Sequence, residues 1–235
     1  MDTLRLPWTA YIPHKPTPKQ LAFLLLENPE ALYGGAAGGG KSDALLMAAL
    51  QYVDQPGYAA LLLRRSYTDL ALPGALMDRA KEWLMPTDAK WYDHRKTWAF
   101  PSGATLTFGY LEHLGDEYRY QSTEFQMIGF DELTQFEETH YRYMFSRLRR
   151  RIGGGAPLRM RSASNPGGIG HEWVRGRFID ADPSDGERVF ISARLPDNPY
   201  LDQDAYVQSL NQLDPVTRRQ LLQGDWTARQ PGNLF

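Results

Sequence analysis

The sequence predicts an α/β domain with a mostly parallel central sheet and helices on both faces. Three observations lead there. Short strand-like runs recur along the chain, at 31–33, 58–63, 125–130, 158–163 and 188–192. Segments with helical spacing separate several of them. A glycine-rich turn, Gly35 to Gly40, joins the first run to the first long amphipathic segment. Strands that alternate with helices pair in parallel through right-handed crossovers.

The elements follow in order. The first 18 residues are rich in proline and predict an irregular arm. Gln20 to Glu27 reads as a short helix ending before Pro29. Ala31-Leu32-Tyr33 is a buried strand, and Lys41 to Val53 carries Leu45, Leu46, Ala49 and Leu50 on one apolar helical face. Tyr58 to Leu63 is the next strand, and Ser66 to Asp69 has the spacing of a capping box that opens a second helix. Trp98 to Phe100 and Thr105 to Phe108 flank Pro101-Ser102-Gly103 as a β-hairpin. Phe125 to Phe130 is a strand ending in acid, and Glu137 to Arg150 reads as a helix. Leu158 to Ala163 and Arg188 to Ser192 are the last strands. Asp202 to Leu213 and Pro215 to Gln223 read as helices, with Pro215 at a first helical position. The expected division is a core over residues 1–194 and a small helical lid or linker over 195–235.

Composition bounds the function. The chain has 235 residues, 42% hydrophobic and 23% charged, which suits one large α/β domain or one with a small appendage. No apolar run approaches the ~18 residues of a membrane span. The start, Met1-Asp2-Thr3-Leu4-Arg5, lacks the pattern of a signal peptide. The absence of cysteine excludes disulfides and thiolate metal sites. A net charge of −2 argues against a uniformly basic coat for nucleic acid. It leaves room for a local basic track, for which Arg147, Arg149, Arg150 and Arg151 are candidates, with Arg64, Arg65, Arg159 and Arg161 adding to the count.

Gly35-Ala36-Ala37-Gly38-Gly39-Gly40-Lys41-Ser42 satisfies G-x-x-x-x-G-K-[ST] in full. Glycines let backbone N–H groups turn inward around phosphate oxygens, and the following helix adds the partial positive charge of its N-terminus. Lys41 is suited to reach the β- and γ-phosphates, and the Ser42 hydroxyl to ligate Mg²⁺. The plain alternative is a turn that merely connects strand to helix. A dinucleotide fingerprint G-x-G-x-x-G cannot be placed: from Gly35 it needs glycine at Ala37, and from Gly38 at Asp43.

Met127 to Phe130 leads into Asp131 and Glu132 at the carboxyl end of a predicted strand, where α/β sheets place ligands. Asp131 is suited to hold Mg²⁺, and Glu132 to polarise an attacking water. A base for water favours hydrolysis over transfer to a metabolite. The bland alternative is a helix cap with a first-turn acid. After the next strand, Ser164 and Asn165 are suited to contact the γ-phosphate or the water, or else form an ordinary Asn-Pro-Gly turn.

These motifs, in this order, resemble the N-terminal ATPase (packaging motor) domain of the large terminase subunit of tailed bacteriophages. The resemblance covers nearly the whole chain. It is carried by Gly35–Ser42, Ile128–Thr134 and Ser162–Gly167, with Thr17–Gln20, Asp197–Leu201 and Leu221–Trp226 beside them. It implies a P-loop NTPase fold of the additional-strand, catalytic-glutamate type, with ATP and Mg²⁺ as cofactors. It implies that Gln20 contacts adenine and that Ser164 and Asn165 couple hydrolysis to movement. Expected partners are double-stranded DNA, other copies in a ring (commonly a pentamer), a portal protein and a small terminase subunit, at the procapsid in the host cytoplasm, with no membrane. Ring ATPases take an arginine from a neighbour. Arg119 is the first candidate, ahead of Arg142 and Arg147, with a solvated surface charge as the plain alternative for each. The arginines from Arg147 to Arg151 either track DNA phosphates or offset a helix dipole. The family normally continues into a nuclease domain. The chain stops at Phe235 without a later carboxylate cluster, so no nuclease activity is expected of these residues. The other readings are a helicase-like or repair ATPase and a regulatory module that binds ATP without turnover.

Overall fold

The computed structural model describes residues 7–150, 153–182, 184 and 186–229. Eight strands form one sheet: β1 (Glu30–Gly35), β2 (Ala59–Arg64), β3 (Lys90–Tyr92), β4 (Thr97–Ala99), β5 (Thr105–Tyr110), β6 (Met127–Asp131), β7 (Arg159–Ser164) and β8 (Arg188–Ala193). Their order is β3-β4-β5-β2-β6-β7-β1-β8. β5, β2, β6, β7, β1 and β8 run parallel, and β3 and β4 close one edge as antiparallel strands. β4 and β5 are the hairpin expected around Pro101-Ser102-Gly103. β7 stands between β1 and β6, so one strand separates the glycine-rich loop from the acidic strand end.

Helices cover both faces, as α1 (Pro18–Leu25), α2 (Lys41–Leu50), α3 (Tyr67–Ala71), α4 (Leu76–Leu84), α5 (Glu138–Phe145), α6 (His171–Val174), α7 (Gln203–Leu210) and α8 (Pro215–Arg218). Strand alternation divides the core. Ala31, Tyr33, Ala60, Leu62 and Met127 pack with residues of α1, α2 and α4. Leu32, Leu61, Leu63, Ile128 and Phe130 pack with α5, α6 and Trp226 on the other face. Gly129 lets α2 approach β6: a Cβ there would lie 2.4 Å from Leu62 Cδ2 and 3.1 Å from Leu45 Cδ1.

Several expectations need correction. The helix read over 137–150 ends at Phe145. The chain then turns so that Leu148 bridges Phe125, which ties it to the start of β6. α4, β3 and α6 were not foreseen. Arg159 and Arg161 are not part of a basic surface, because both are fully buried. Arg161 donates to the Leu26 carbonyl at 2.7 Å and the Asn28 carbonyl at 2.9 Å, and Arg159 to the Ala48 carbonyl at 3.3 Å and Gln51 Oε1 at 3.0 Å. Each cation thus meets carbonyls at the C-terminal end of a helix, where partial negative charge gathers. Burial, with Arg159 beside it, holds the Arg161 guanidinium well below its ordinary pKa.

At the opening of β1, Glu30 is buried. It accepts two hydrogen bonds of 2.8 Å from Arg177 and one of 3.0 Å from the Tyr141 hydroxyl. Glu30→Ala leaves the Arg177 charge without its partner. That variant is expected to lose about 3–5 kcal/mol of unfolding free energy in urea, and Glu30→Gln less. A loss below about 1 kcal/mol in Glu30→Ala counts against the network as an anchor of β1.

Candidate active site

The loop after β1 and the start of α2 form a strapped phosphate loop. Gly40 sits at φ 73° as the residue before α2, a left-handed conformation that a side chain would strain. The loop is held from three sides. Gln20 Nε2 donates to the Gly40 carbonyl at 2.9 Å, and the Ala36 N–H donates to the Ala193 carbonyl at 2.9 Å. From the C-terminal segment, Asn198 Nδ2 donates to the Gly38 carbonyl at 2.7 Å, and the Leu221 carbonyl accepts from the Ala37 N–H at 2.6 Å. Gln20 also closes a capping box with Thr17 at the start of α1. Both ends of its amide are therefore engaged by this chain's backbone, so an adenine contact must be shared with, or displace, the Gly40 bond.

Lys41 is buried, and its Nζ donates to the Ala36 carbonyl at 2.6 Å. Burial lowers its pKa, while Glu132 and Asp131 pull it back up. Asp131 is 1% exposed at the end of β6. It accepts from Ser42 Oγ at 3.4 Å and forms an ion pair with Arg64 from the end of β2. Ser42 and Asp131, which sequence spacing matched to Mg²⁺, are therefore neighbours, and their oxygen chemistry fits that ion. Among the described residues no cluster of three or more His, Cys, Asp or Glu could hold a metal by itself.

Glu132 follows in the left-handed region, at φ 54° and ψ 57°. A non-glycine residue there costs on the order of 1 kcal/mol or more, and such strain clusters at functional sites. Burial raises the Glu132 pKa and Asp131 adds to the rise, with Lys41 and Arg64 opposing it. Ser164 and Asn165 divide their tasks. The Ser164 hydroxyl is buried against Thr134, 2.9 Å from its Oγ1, and ties β7 to the segment after β6. Asn165 faces the cavity, and its Oδ1 is buried without a hydrogen-bond partner.

A cavity of about 320 Å³ opens over this group. It is lined by the phosphate loop, Glu132 and Asn165, and also by Gly74, Arg79, Asn198, Leu201 and Tyr206. That size lies within the usual range for a ligand site. Leu201 and Tyr206 pack where a Cβ on Gly38 would sit, at 2.7 and 3.1 Å. Burial and the Glu132 charge raise the Tyr206 pKa. Arg64, Arg79 and Tyr206 were not foreseen as site residues. The Asp197–Leu201 segment was the one sequence signal pointing to this wall.

The arginine candidates lie elsewhere. Arg119 is about half exposed, pairs with Asp116 at 2.9 Å and lies 4.8 Å over the Tyr110 ring. It does not line this chain's own cavity. Arg142 pairs with Glu138 at 2.7 Å on the surface of α5. Arg147 is buried, over the Tyr143 ring at 5.5 Å, and is not an open cation. Arg149 and Arg150 are exposed. Arg151 lies outside the described residues. Among the described residues no helix is long and apolar enough to cross a membrane.

Comparison with known proteins gives one family. Residues 32–235 match the family described as terminase large subunit, T4likevirus-type, N-terminal. No curated protein matches significantly. The large terminase of a thermophilic bacteriophage superposes with a TM-score of 0.72 at 14% identity, over 90% of this chain and 54% of that one. The same thermophilic phage protein in complex with ATP-γ-S gives 0.71 at 15% identity, over 89% and 52%. The large terminase ATPase domain of Thermus phage P74-26 gives 0.62 at 12% identity, over 92% and 96%. At these identities the likeness shows the fold. The chain spans about half the length of the thermophilic phage protein.

The raised Glu132 pKa has a consequence for stability. The folded chain holds that proton more tightly than the unfolded chain. The stability it adds is fully present below the ordinary glutamate pKa and is lost as pH rises through the raised value. Glu132→Gln mimics the protonated side chain at every pH. Its melting temperature is expected above that of wild type at about pH 8, with the gap closing as pH falls towards about 4. A variant that melts below wild type throughout that range contradicts the assigned electrostatics.

Proposed function

Given that the chain belongs to the T4likevirus-type terminase large-subunit family, as its N-terminal part, we propose that it hydrolyses ATP to drive double-stranded DNA into a viral procapsid. The observation that carries this reading is Glu132. A carboxylate in a strained backbone conformation lines the same cavity as the phosphate loop and Asn165. That arrangement suits a base for water, with the unpartnered Asn165 Oδ1 beside it to orient the water or sense the γ-phosphate. Lys41 lies under the loop, ready to exchange the Ala36 carbonyl for phosphate oxygens. Mg²⁺, held through Ser42 and Asp131, would neutralise charge developing on the β- and γ-oxygens. Gln20 is assigned the adenine contact, for which its amide shares or gives up the bond to the Gly40 carbonyl.

A binding-only module has no use for Glu132, and family membership favours the packaging motor over a helicase-like or repair ATPase. The motor reading includes a ring of copies docked on a portal, DNA delivered by a small terminase subunit, and action at the procapsid in the host cytoplasm. Arg149 and Arg150 are exposed cations suited to sequence-independent phosphate contacts. The segment over residues 195–229 acts as a lid through Asn198 and Tyr206; the rest of the expected lid, residues 230–235, lies outside the described residues. Arg119, exposed and away from its own cavity, suits insertion into a neighbour's site.

Phosphate release by wild type and Lys41→Ala tests the reading, with double-stranded DNA present and absent. Turnover is expected in wild type and a loss of at least about 100-fold in Lys41→Ala. Equal rates in the two contradict the phosphate-loop assignment. Mixing Arg119→Ala with Glu132→Ala chains tests the arginine. Each variant alone is expected to be inactive. The mixture is expected to recover part of the activity, because some interfaces pair an intact Glu132 with an intact Arg119. No recovery, with assembly confirmed by light scattering, removes Arg119 from a role across subunits.

A further inference from the structure

One wall of the cavity over the phosphate loop carries a cation with no role so far. Arg79, near the start of α4, lines that cavity with Gly74 from the turn before it. Its guanidinium is held on one side only. Nη1 meets the Asp43 carboxylate at 3.1 and 3.4 Å. The Arg79 Nε is buried and has no hydrogen-bond partner. Buried N–H groups are nearly always paired, so one left unpaired is open to a ligand acceptor. Asp43 follows Ser42 in the first turn of α2, so it fixes the guanidinium beside the phosphate loop. His14 Nε2, from the N-terminal arm, lies 3.6 Å from the same carboxylate. The charged residues lining the cavity are Lys41 and Arg79 against Asp43 and Glu132. These cancel, whereas a polyphosphate brings several negative charges.

We propose that Arg79 binds a phosphate oxygen of the nucleotide within its own chain, with Asp43 as the arm that presents it. This rests on the ATP reading above. A guanidinium is a planar fork, so one edge can keep Asp43 while the edge carrying Nε donates to phosphate. The lysine ammonium has no second edge. Arg79 therefore differs in kind from Arg119: it already stands at the cavity and needs no neighbour.

Calorimetric titration of the chain with ATP-γ-S in Mg²⁺ decides. A charge-assisted hydrogen bond predicts affinity about 10- to 100-fold weaker in Arg79→Gln. Arg79→Lys is expected to fall between Arg79→Gln and wild type. Asp43→Asn keeps the guanidinium but removes the arm that presents it, and is expected to bind more weakly than wild type yet more tightly than Arg79→Gln. Unchanged affinity in Arg79→Gln overturns the proposal. So does an equal loss in Asp43→Asn and Arg79→Gln, which makes the pair a pin between α2 and α4. If wild type and Lys41→Ala alike fail to bind ATP-γ-S, the ATP reading falls and takes this proposal with it.

Discussion

Two adjacent carboxylates at the end of one strand set the terms for the rest of the molecule. Asp131 is almost wholly buried and Glu132 stands at the cavity in a strained backbone conformation. Like charges this close raise each other's energy unless cations stand near or one carboxylate takes a proton. Lys41 and Arg64 supply the cations, from the loop after β1 and the end of β2. That balance needs three strand ends at one edge of one sheet. The order β2-β6-β7-β1 provides it, because parallel strands deliver all their carboxyl ends to the same side.

The strand between β6 and β1 gains a role from its place. β7 starts with Arg159 and Arg161, which fasten it to the ends of α2 and α1. It ends with Ser164, which ties it to Thr134 after β6, and Asn165 follows it and faces the cavity. The turn beyond reaches the C-terminal segment: the Gly167 N–H donates to His171 Nδ1 at 2.9 Å, and the His171 ring stacks on Trp226. Gly224 lies against Gly35 and Ala36 so closely that a Cβ would fall 2.5 Å from the Ala36 nitrogen. The cavity, the turn after β7 and the C-terminal segment thus form one continuous packed path.

Much of this was legible in the sequence because it depends on local rules. The glycine spacing of 35–42, the apolar run into Asp131 and the turn after Ser164 each fix a backbone shape by composition. The hairpin about Pro101-Ser102-Gly103 and the cap at Ser66, which accepts from the Asp69 N–H at 3.1 Å, were readable for the same reason. What escaped depends on distance along the chain. Arg64 meets Asp131 and Arg79 meets Asp43 only after the sheet has formed. α4 follows Pro73-Gly74 with no side-chain cap to announce it, and β3 is three residues on an exposed edge. The helix read to Arg150 stopped early because Leu148 found Phe125, a tertiary contact that outweighs helix propensity.

The central claim is that Glu132 acts on water rather than on binding. A single-turnover measurement with bound ATP tests it most directly, comparing wild type with Glu132→Gln. The variant is expected to bind ATP as wild type does and to cleave it at least about 100-fold more slowly. Cleavage at the wild-type rate in Glu132→Gln would contradict it.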